Sequence, residues 1–195
     1  MRLGILGGTF DPIHNGHIAA ACASARALHL DRVLLIPAGD PRHRACAPVA
    51  TAEQRYDMVV AACGEQNAAE VRLQPSRVDI DRPGPTYSID TLAAVRREFA
   101  DAELFLILGA DAYAHIDTWR EPGQLRKQST LVVVQRATPD AAPAVVETAG
   151  AVSVPLEGFE VSATDIRARI AAGQPIDGLV PTAVAAYIDA HGLYR

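Results

Sequence analysis

The stretch Arg2-Leu-Gly-Ile-Leu-Gly-Gly-Thr-Phe-Asp-Pro-Ile-His-Asn-Gly-His17 decides the fold of this chain. The apolar run from Leu3 to Leu6 predicts a buried strand, and the two glycines after it predict a sharp turn, because no Cβ blocks the backbone or an approaching ligand. His14 and His17 come just before an Ala-rich helical stretch, whose N-terminal N–H groups favour anions. The stretch therefore predicts a phosphate-binding site between a strand and a helix.

Composition bounds the size of the fold and the kind of partner. The chain has 195 residues, of which 49% are apolar and 21% charged, as in an ordinary globular protein. We expect one domain over residues 1–195, with a helical C-terminal portion over about 162–195. The net charge of −5 gives no general basic field for nucleic acid. Apolar runs are too short for a membrane span or a signal peptide, so we expect a cytoplasmic protein.

Strands and helices alternate along the rest of the chain. Apolar runs predict strands at 33–36, 104–108 and 131–134 and a weaker strand at 151–154, and the alternation of residues 71–80 predicts one more. Helices are expected over 17–29, from 51 to about 63, over 88–99 with Ser88 as the N-cap, from 162, and from 181 to about 191. This order predicts an α/β fold, a doubly wound Rossmann-like parallel sheet with helices on both faces. Loops at 7–17, 37–44, 82–87 and 109–111 should then meet at the carboxyl ends of the strands.

The common phosphate-binding motifs are absent from the sequence. GxxxxGK(S/T) does not occur, and Gly4, Gly7 and Gly8 do not form GxGxxG. A glycine pair after a strand is weak evidence, but two histidines around a glycine at a strand-to-helix turn are difficult to explain as packing. Both imidazoles can donate to phosphate oxygens, and neither is placed as a nucleophile with a partner base. Local spacing indicates no third ligand for a metal site in the protein itself.

Several segments together resemble the HxGH nucleotidylyltransferase superfamily and, within it, the nicotinate-nucleotide adenylyltransferases. Besides Gly7–His17, the segments that carry the resemblance are Ile36–Arg44, Arg55–Met58, Gly84–Leu92, Leu108–Asp111 with Trp119, and Val161–Arg167. The resemblance runs through the whole chain. It implies transfer of the adenylyl group of ATP to nicotinate mononucleotide in NAD biosynthesis, with release of pyrophosphate. It also implies Mg²⁺, carried by ATP, as the cofactor.

The resemblance assigns roles to the matching positions. Catalysis is assigned to His14, His17 and Arg167. The residues implied in ATP binding are Gly8, Thr9, Phe10, His14, His17, Gly109, Asp111, Ser162, Thr164 and Arg167. The residues implied in acceptor binding are Arg44, Thr86, Tyr87 and Trp119, with Trp119 stacked on the pyridinium ring. The chain departs from the family in that Arg44 replaces a lysine and Ala163 replaces a hydroxyl-bearing residue.

Other hypotheses stay open beside this one. A related nucleotidylyltransferase could use nicotinamide mononucleotide or phosphopantetheine as acceptor. A tRNA-synthetase-like module is disfavoured because KMSKS is absent, the net charge is negative and an anticodon-binding domain does not fit. A non-catalytic nucleotide-binding protein is disfavoured because His14, His17 and Arg167 are retained. The sequence also leaves the formation of a homo-oligomer open.

Overall fold

The computed structural model describes residues 1–41, 47–66, 71–136, 146–148, 150–156 and 161–195. In these ranges strands β1 to β7 span Arg2–Gly8, Arg32–Pro37, Leu73–Pro75, Glu103–Gly109, Thr130–Arg136, Val146–Thr148 and Ala151–Leu156. Helices α1 to α7 span Asn15–Ala27, Ala52–Gln66, Ser88–Glu98, Ala110–Ala114, Pro122–Gln128, Ala163–Ala171 and Thr182–Ala190. The strands of the described part form one sheet in the order β3-β2-β1-β4-β5-β7-β6.

The pairing of the strands confirms the predicted doubly wound α/β sheet. All neighbours from β3 to β7 pair in parallel, and β1 lies between β2 and β4. Strands β2 and β3 are therefore added on one side of β1, and β4 and the later strands on the other side. In such sheets the switch point opens a crevice at the carboxyl ends of the two central strands. The edge strand β6 pairs antiparallel to β7, an addition that the sequence pattern did not predict.

Helices cover both faces of the sheet, and alternate residues of each strand enter one of two cores. In β4, Ile107 packs with the core under α1, α2, α6 and α7, whereas its neighbours Leu106 and Leu108 pack with the core under α3 and α5. A strand that is buried on both faces needs apolar residues at consecutive positions. This accounts for the continuous apolar runs from which the strands were predicted.

Several local predictions were wrong, three of them in the strands and helices. The strand expected over 71–80 ends at Pro75, because the chain then turns and the N–H of Ile80 donates to the carbonyl of Arg77 at 2.8 Å. Helix α1 begins at Asn15 rather than at residue 17. Tyr87, not Ser88, occupies the N-cap of α3, and no side chain caps that helix.

The segment between α6 and α7 is bound to the start of α1, and α7 packs against α2. Asn15 donates its backbone N–H to the carbonyl of Leu179 at 2.9 Å and its side-chain amide to the carbonyl of Gly178 at 2.8 Å. The hydroxyl of Tyr187 in α7 donates to Asp57 in α2 at 2.9 Å. The C-terminal part of the chain thus lies on the face of the sheet that carries α1 and α2. Across the described ranges, no helix has the length and apolar character needed to cross a membrane.

Candidate active site

The chain turns directly after β1. Gly7 and Gly8 are the last residues of the strand, not a separate turn as predicted, and they pair with Ile36 and Pro37 of β2. Phe10 adopts a φ of 51°, and its buried ring folds back beneath the strand end. A Cβ on Gly8 would lie 2.7 Å from this ring. The buried Phe10 ring therefore leaves no room for a side chain at position 8. This reason for glycine is independent of any ligand that approaches there.

His14 and His17 form a stacked pair at the N-terminus of α1. Their ring centroids are 3.7 Å apart, with 24° between the planes. His14 is the N-cap, and its backbone N–H donates to Nδ1 of His17, the third helical residue, at 3.3 Å. Because Nδ1 accepts, the ring N–H of His17 lies on Nε2. This contact is half of a capping box in which histidine takes the place of Glu or Gln, so helix geometry helps to set the spacing of the two histidines.

Burial keeps His14 uncharged near neutral pH. Loss of hydration lowers the pKa of its imidazole to about 4, and within the described residues its buried Nδ1 has no hydrogen-bond partner. A Cβ on Gly16 would come within 3.1 Å of this nitrogen. A glycine between the two histidines therefore gives the His14 ring room against the helix start.

The first of two adjoining clefts lies at the carboxyl ends of the strands, as the sequence predicted, and has a volume of about 490 Å³. We call it the sheet-end cleft. Its walls include the predicted residues Gly8, Thr9, His17, Thr86, Gly109, Asp111 and Trp119. Gly109 ends β4, and Asp111 lies in the first turn of α4, where the sequence predicted only a turn. A Cβ at Gly109 would meet open space, so packing does not require glycine there.

The second cleft lies between the histidines and α6, has a volume of about 530 Å³, and is called the Arg167 cleft here. Its walls include the predicted residues Thr9, Phe10, His14, His17, Ser162, Thr164 and Arg167. Ser162 caps α6 as expected, because its Oγ accepts from the N–H of Asp165 at 3.1 Å. The same hydroxyl donates to the Asp165 carboxylate at 2.7 Å. Thr9 and His17 line both clefts, which therefore meet at these two residues.

Thr86, Tyr87 and Trp119 lie together beside the sheet-end cleft, and Thr86 and Trp119 form part of its wall. With Arg120 they also line a smaller pocket of about 80 Å³. The N–H of Thr86 donates to the carbonyl of Asp40 at 2.9 Å, and its hydroxyl accepts from the N–H of Asp40 at 3.2 Å. Thr86 therefore joins the loop after β2 to the loop before α3. The Arg120 guanidinium lies 5.0 Å from the centre of the Tyr87 ring.

The remaining predicted position, Arg44, lies outside the described residues, as does Cys46. Cys22 and Cys63 are buried free thiols. Burial raises the pKa of both thiols, which makes them poor nucleophiles.

Arg55 is a buried cation to which the sequence pattern assigned no role. Its side chain is only 1% exposed. Nη1 donates to the carbonyl of Thr9 at 2.7 Å and Nη2 to the carbonyl of Gly39 at 3.3 Å. Burial lowers the pKa of the guanidinium, and the nearby carboxylate of Asp11 offsets part of this effect. Arg55 thereby holds the loops after β1 and β2, which form walls of the sheet-end cleft.

Asp79 is a buried anion in the wall of the same cleft. It accepts from the hydroxyl of Thr91 at 2.8 Å and from Nη2 of Arg82 at 2.7 Å. Burial raises the pKa of its carboxyl, and these two donors oppose the shift. Arg82 also lies 3.3 Å from the Asp90 carboxylate. This network holds the loop before α3, and no periodic signal in the sequence distinguishes it from surface charges.

Comparison with known families defines the class of this protein. The family described as cytidylyltransferase-like matches residues 5–169. The match extends from β1 into α6 and so includes the walls of both clefts. The fold and the site thus define an α/β protein of the cytidylyltransferase-like class.

Individual relatives define the family more narrowly. A probable nicotinate-nucleotide adenylyltransferase of Thermus thermophilus is 46% identical over 197 aligned positions, which cover 100% of both chains. A probable nicotinate-nucleotide adenylyltransferase of Clavibacter michiganensis is 43% identical and covers 100% of this chain and 94% of its own. The chain belongs to the nicotinate-nucleotide adenylyltransferase family.

A solved structure gives the same fold at low sequence identity. The Plasmodium falciparum nicotinic acid mononucleotide adenylyltransferase complexed with NaAD has a TM-score of 0.74 and 14% identity to this chain. The alignment covers 99% of this chain and 97% of that one. This likeness supports the arrangement of the sheet and the helices.

Proposed function

We propose that this protein transfers the adenylyl group of ATP to the phosphate of nicotinate mononucleotide, in NAD biosynthesis in the cytoplasm. The products are nicotinate adenine dinucleotide and pyrophosphate. The observation that carries the proposal is the junction of two clefts at Thr9 and His17. One cleft offers cationic and hydroxyl donors, and the other offers an indole and strand-end backbone. The names of the relatives aligned over the full chain support the same activity.

The reaction needs alignment more than it needs a strong base. An acceptor phosphate oxygen attacks the α-phosphorus of ATP, and the bond from this phosphorus to the bridging β-phosphate oxygen breaks, so that pyrophosphate leaves with the electron pair. The acceptor is already an anion, and catalysis consists of positioning and charge stabilisation. We place the α-phosphorus at the junction of the two clefts, beside Thr9 and His17.

The phosphate donors have distinct roles in this proposal. His17 donates its Nε2–H to an oxygen of the α-phosphate, where charge develops in the transition state. His14 acts as a neutral donor, since its imidazole is uncharged near neutral pH. Arg167 supplies a permanent cation for the departing pyrophosphate. Thr164 and the start of α6 add donors from the same side of the Arg167 cleft.

The sheet-end cleft provides the sites for the pyridine ring and the sugars. Trp119 stacks on the cationic ring, a contact worth ~0.5–2 kcal/mol. Asp111 and Gly109 contact nucleotide sugar, and Gly8 allows close approach of the backbone. Donation by the Thr86 N–H to the nicotinate carboxylate requires its contact with the Asp40 carbonyl to open.

Magnesium enters this proposal with the nucleotide. Within the described ranges no three His, Cys, Asp or Glu side chains cluster as ligands for one metal ion. The imidazole, hydroxyl and guanidinium groups of the Arg167 cleft suit phosphate oxygens more than a hard cation. These residues therefore fit Mg²⁺ that is held by ATP phosphates and water. When bound, the ion neutralises phosphate charge as a Lewis acid.

A comparison of three acceptors tests the proposal. Purified protein with ATP and Mg²⁺ is offered nicotinate mononucleotide, nicotinamide mononucleotide and phosphopantetheine in separate reactions, and pyrophosphate release is measured. We expect the highest kcat/KM with nicotinate mononucleotide, and the dinucleotide product is identified by mass spectrometry. Turnover with either of the other acceptors and none with nicotinate mononucleotide would overturn the assignment.

A further inference from the structure

The carboxylate of Asp11 joins distant parts of the chain at the wall of the Arg167 cleft. Its oxygens accept from the backbone N–H groups of Val49 and Ala50, at 2.8 and 3.1 Å, and from the hydroxyl of Tyr194 at 2.8 Å. The side chain is buried, with Asp11 only 5% exposed. Each of these donors replaces a hydrogen bond to water that the buried carboxylate has lost. This constellation therefore fixes the Asp11 carboxylate in one orientation.

Arg167 is held by the same residue. Nη1 donates to the backbone carbonyl of Asp11 at 2.8 Å and lies 3.9 Å from its carboxylate Oδ2. Nη2 donates to the hydroxyl of Thr164 at 3.4 Å. The Arg167 side chain remains 29% exposed and lines the Arg167 cleft. A displacement of Asp11 therefore changes the plane in which the guanidinium meets a ligand in this cleft.

Tyr194 reaches Asp11 from beyond the last helix. Gly192 turns the chain with a φ of 58°, and Tyr194 itself has a φ of 66°. A side-chain-bearing residue keeps this conformation only where its surroundings compensate for the strain. Burial and the hydrogen bond to Asp11 raise the pKa of the Tyr194 hydroxyl, so it remains a donor at physiological pH.

We propose that Asp11 and Tyr194 are positioning residues for Arg167, with Tyr194 fixing Asp11 and Asp11 fixing the guanidinium against the phosphates of ATP. The inference rests on the proposed function, because that function makes ATP the ligand of the Arg167 cleft. Arginine binds phosphate strongly when its planar fork is correctly oriented. Loss of this orientation weakens ATP binding and leaves the acceptor end of the sheet-end cleft intact.

Tyr194→Phe tests the proposal by removing a single hydroxyl. We expect the dissociation constant of ATP, measured by calorimetry with Mg²⁺ and without acceptor, to rise about 3- to 10-fold. The KM for ATP should rise similarly, while the KM for nicotinate mononucleotide changes by less than about twofold. The matched control is Tyr187→Phe, which removes a hydroxyl that donates to Asp57 at 2.9 Å, outside both clefts. This control should bind ATP like the wild type.

The same substitution in an Arg167→Ala protein tests whether the effect of Tyr194 on ATP binding depends on Arg167. When Tyr194→Phe is added to Arg167→Ala, the dissociation constant of ATP should change by less than about twofold, because coupled residues are non-additive. If Tyr194→Phe raised the dissociation constant of ATP by the same factor in the wild type and in Arg167→Ala, the proposal would be overturned. A lower Tm of Tyr194→Phe with unchanged ATP binding would also overturn it, since Tyr194 would then only stabilise the fold.

The design separates failure of this inference from failure of the proposed function. Calorimetry needs no acceptor, so its outcome does not depend on nicotinate mononucleotide. If the wild type binds ATP but does not use that acceptor, the proposed function fails, and the binding ratios still decide the role of Tyr194. A wild type that does not bind ATP overturns both.

Discussion

His17 is the residue on which the two clefts converge, and its contact with the His14 backbone determines which ring nitrogen donates. Loss of one transition-state donor typically lowers kcat by about 10²- to 10³-fold. We therefore expect His17→Ala to lower kcat for pyrophosphate release by roughly 10²-fold, with folding intact. Steady-state kinetics at saturating ATP and acceptor measures the change.

The control for this variant is another histidine that also stacks on an aromatic ring. The ring centroids of His191 and Tyr187 are 3.9 Å apart, and both residues lie outside the two clefts. His191→Ala should retain the wild-type kcat. A kcat of His17→Ala within a few-fold of the wild type would show that His17 has only the structural role of capping α1.

His14 makes the stability of the fold depend on pH. Its pKa is about 4 in the folded protein and 6.5 in the unfolded chain. Above the unfolded value both states are neutral. Below it the unfolded chain binds a proton that the folded chain excludes, so the free energy of unfolding falls as the pH drops from 6.5 to about 4, by roughly 3 kcal/mol at most.

A variant that does not titrate isolates this effect. His14→Gln removes the ionisable group, so its free energy of unfolding should fall less between about pH 7.5 and pH 5 than that of the wild type. Urea unfolding at both pH values measures the difference. Equal decreases in the two proteins would show that His14 is not the group responsible.

At the scale of elements, the loop after β2 passes very close to the segment before α3. A Cβ on Gly39 would lie 2.3 Å from the carbonyl oxygen of Asp79, and backbone cannot move aside as a flexible side chain can. We expect Gly39→Ala to lower the free energy of unfolding by about 1–3 kcal/mol through overpacking. Denaturant unfolding, with the slope m compared between variants, provides the measurement.

For a glycine in helix α2 we expect the opposite change in the free energy of unfolding. Gly64 lies in α2, and a Cβ there would meet nothing within 4 Å. Gly64→Ala should raise the free energy of unfolding by about 0.5–1 kcal/mol, because the unfolded chain loses conformational freedom. A change of the same sign in both variants would show that the two sites do not differ in the way described.

Helix starts show where sequence chemistry suffices and where it does not. Ser162 followed by Asp165 is a recognisable capping pattern, and α6 begins as predicted. The start of α1 was missed because histidine is not a usual capping residue, although His17 performs that role. The start of α3 has no side-chain cap, so no capping residue in the sequence marks Tyr87 as its N-cap.

At the scale of the whole molecule, the alternation of apolar runs was enough to predict the sheet, and the strand-end loops were enough to predict the first cleft. The bond between Tyr194 and Asp11 joins residues 183 positions apart and leaves no periodic pattern. Arg55 and Asp79 are charged residues within ordinary polar segments, and only the fold shows that they are buried. Long-range polar contacts of this kind explain most of what sequence analysis missed in the site.

The common wall of the two clefts has a consequence for inhibition. Because Thr9 and His17 border both spaces, one molecule can occupy the two at once. Once one half is bound, the other half is present at high local concentration, and affinity can exceed that of either half by about 10²- to 10⁴-fold. The linker of such a bisubstrate compound must pass His17, so a short linker with a hydrogen-bond acceptor at that point is the design that this structure favours.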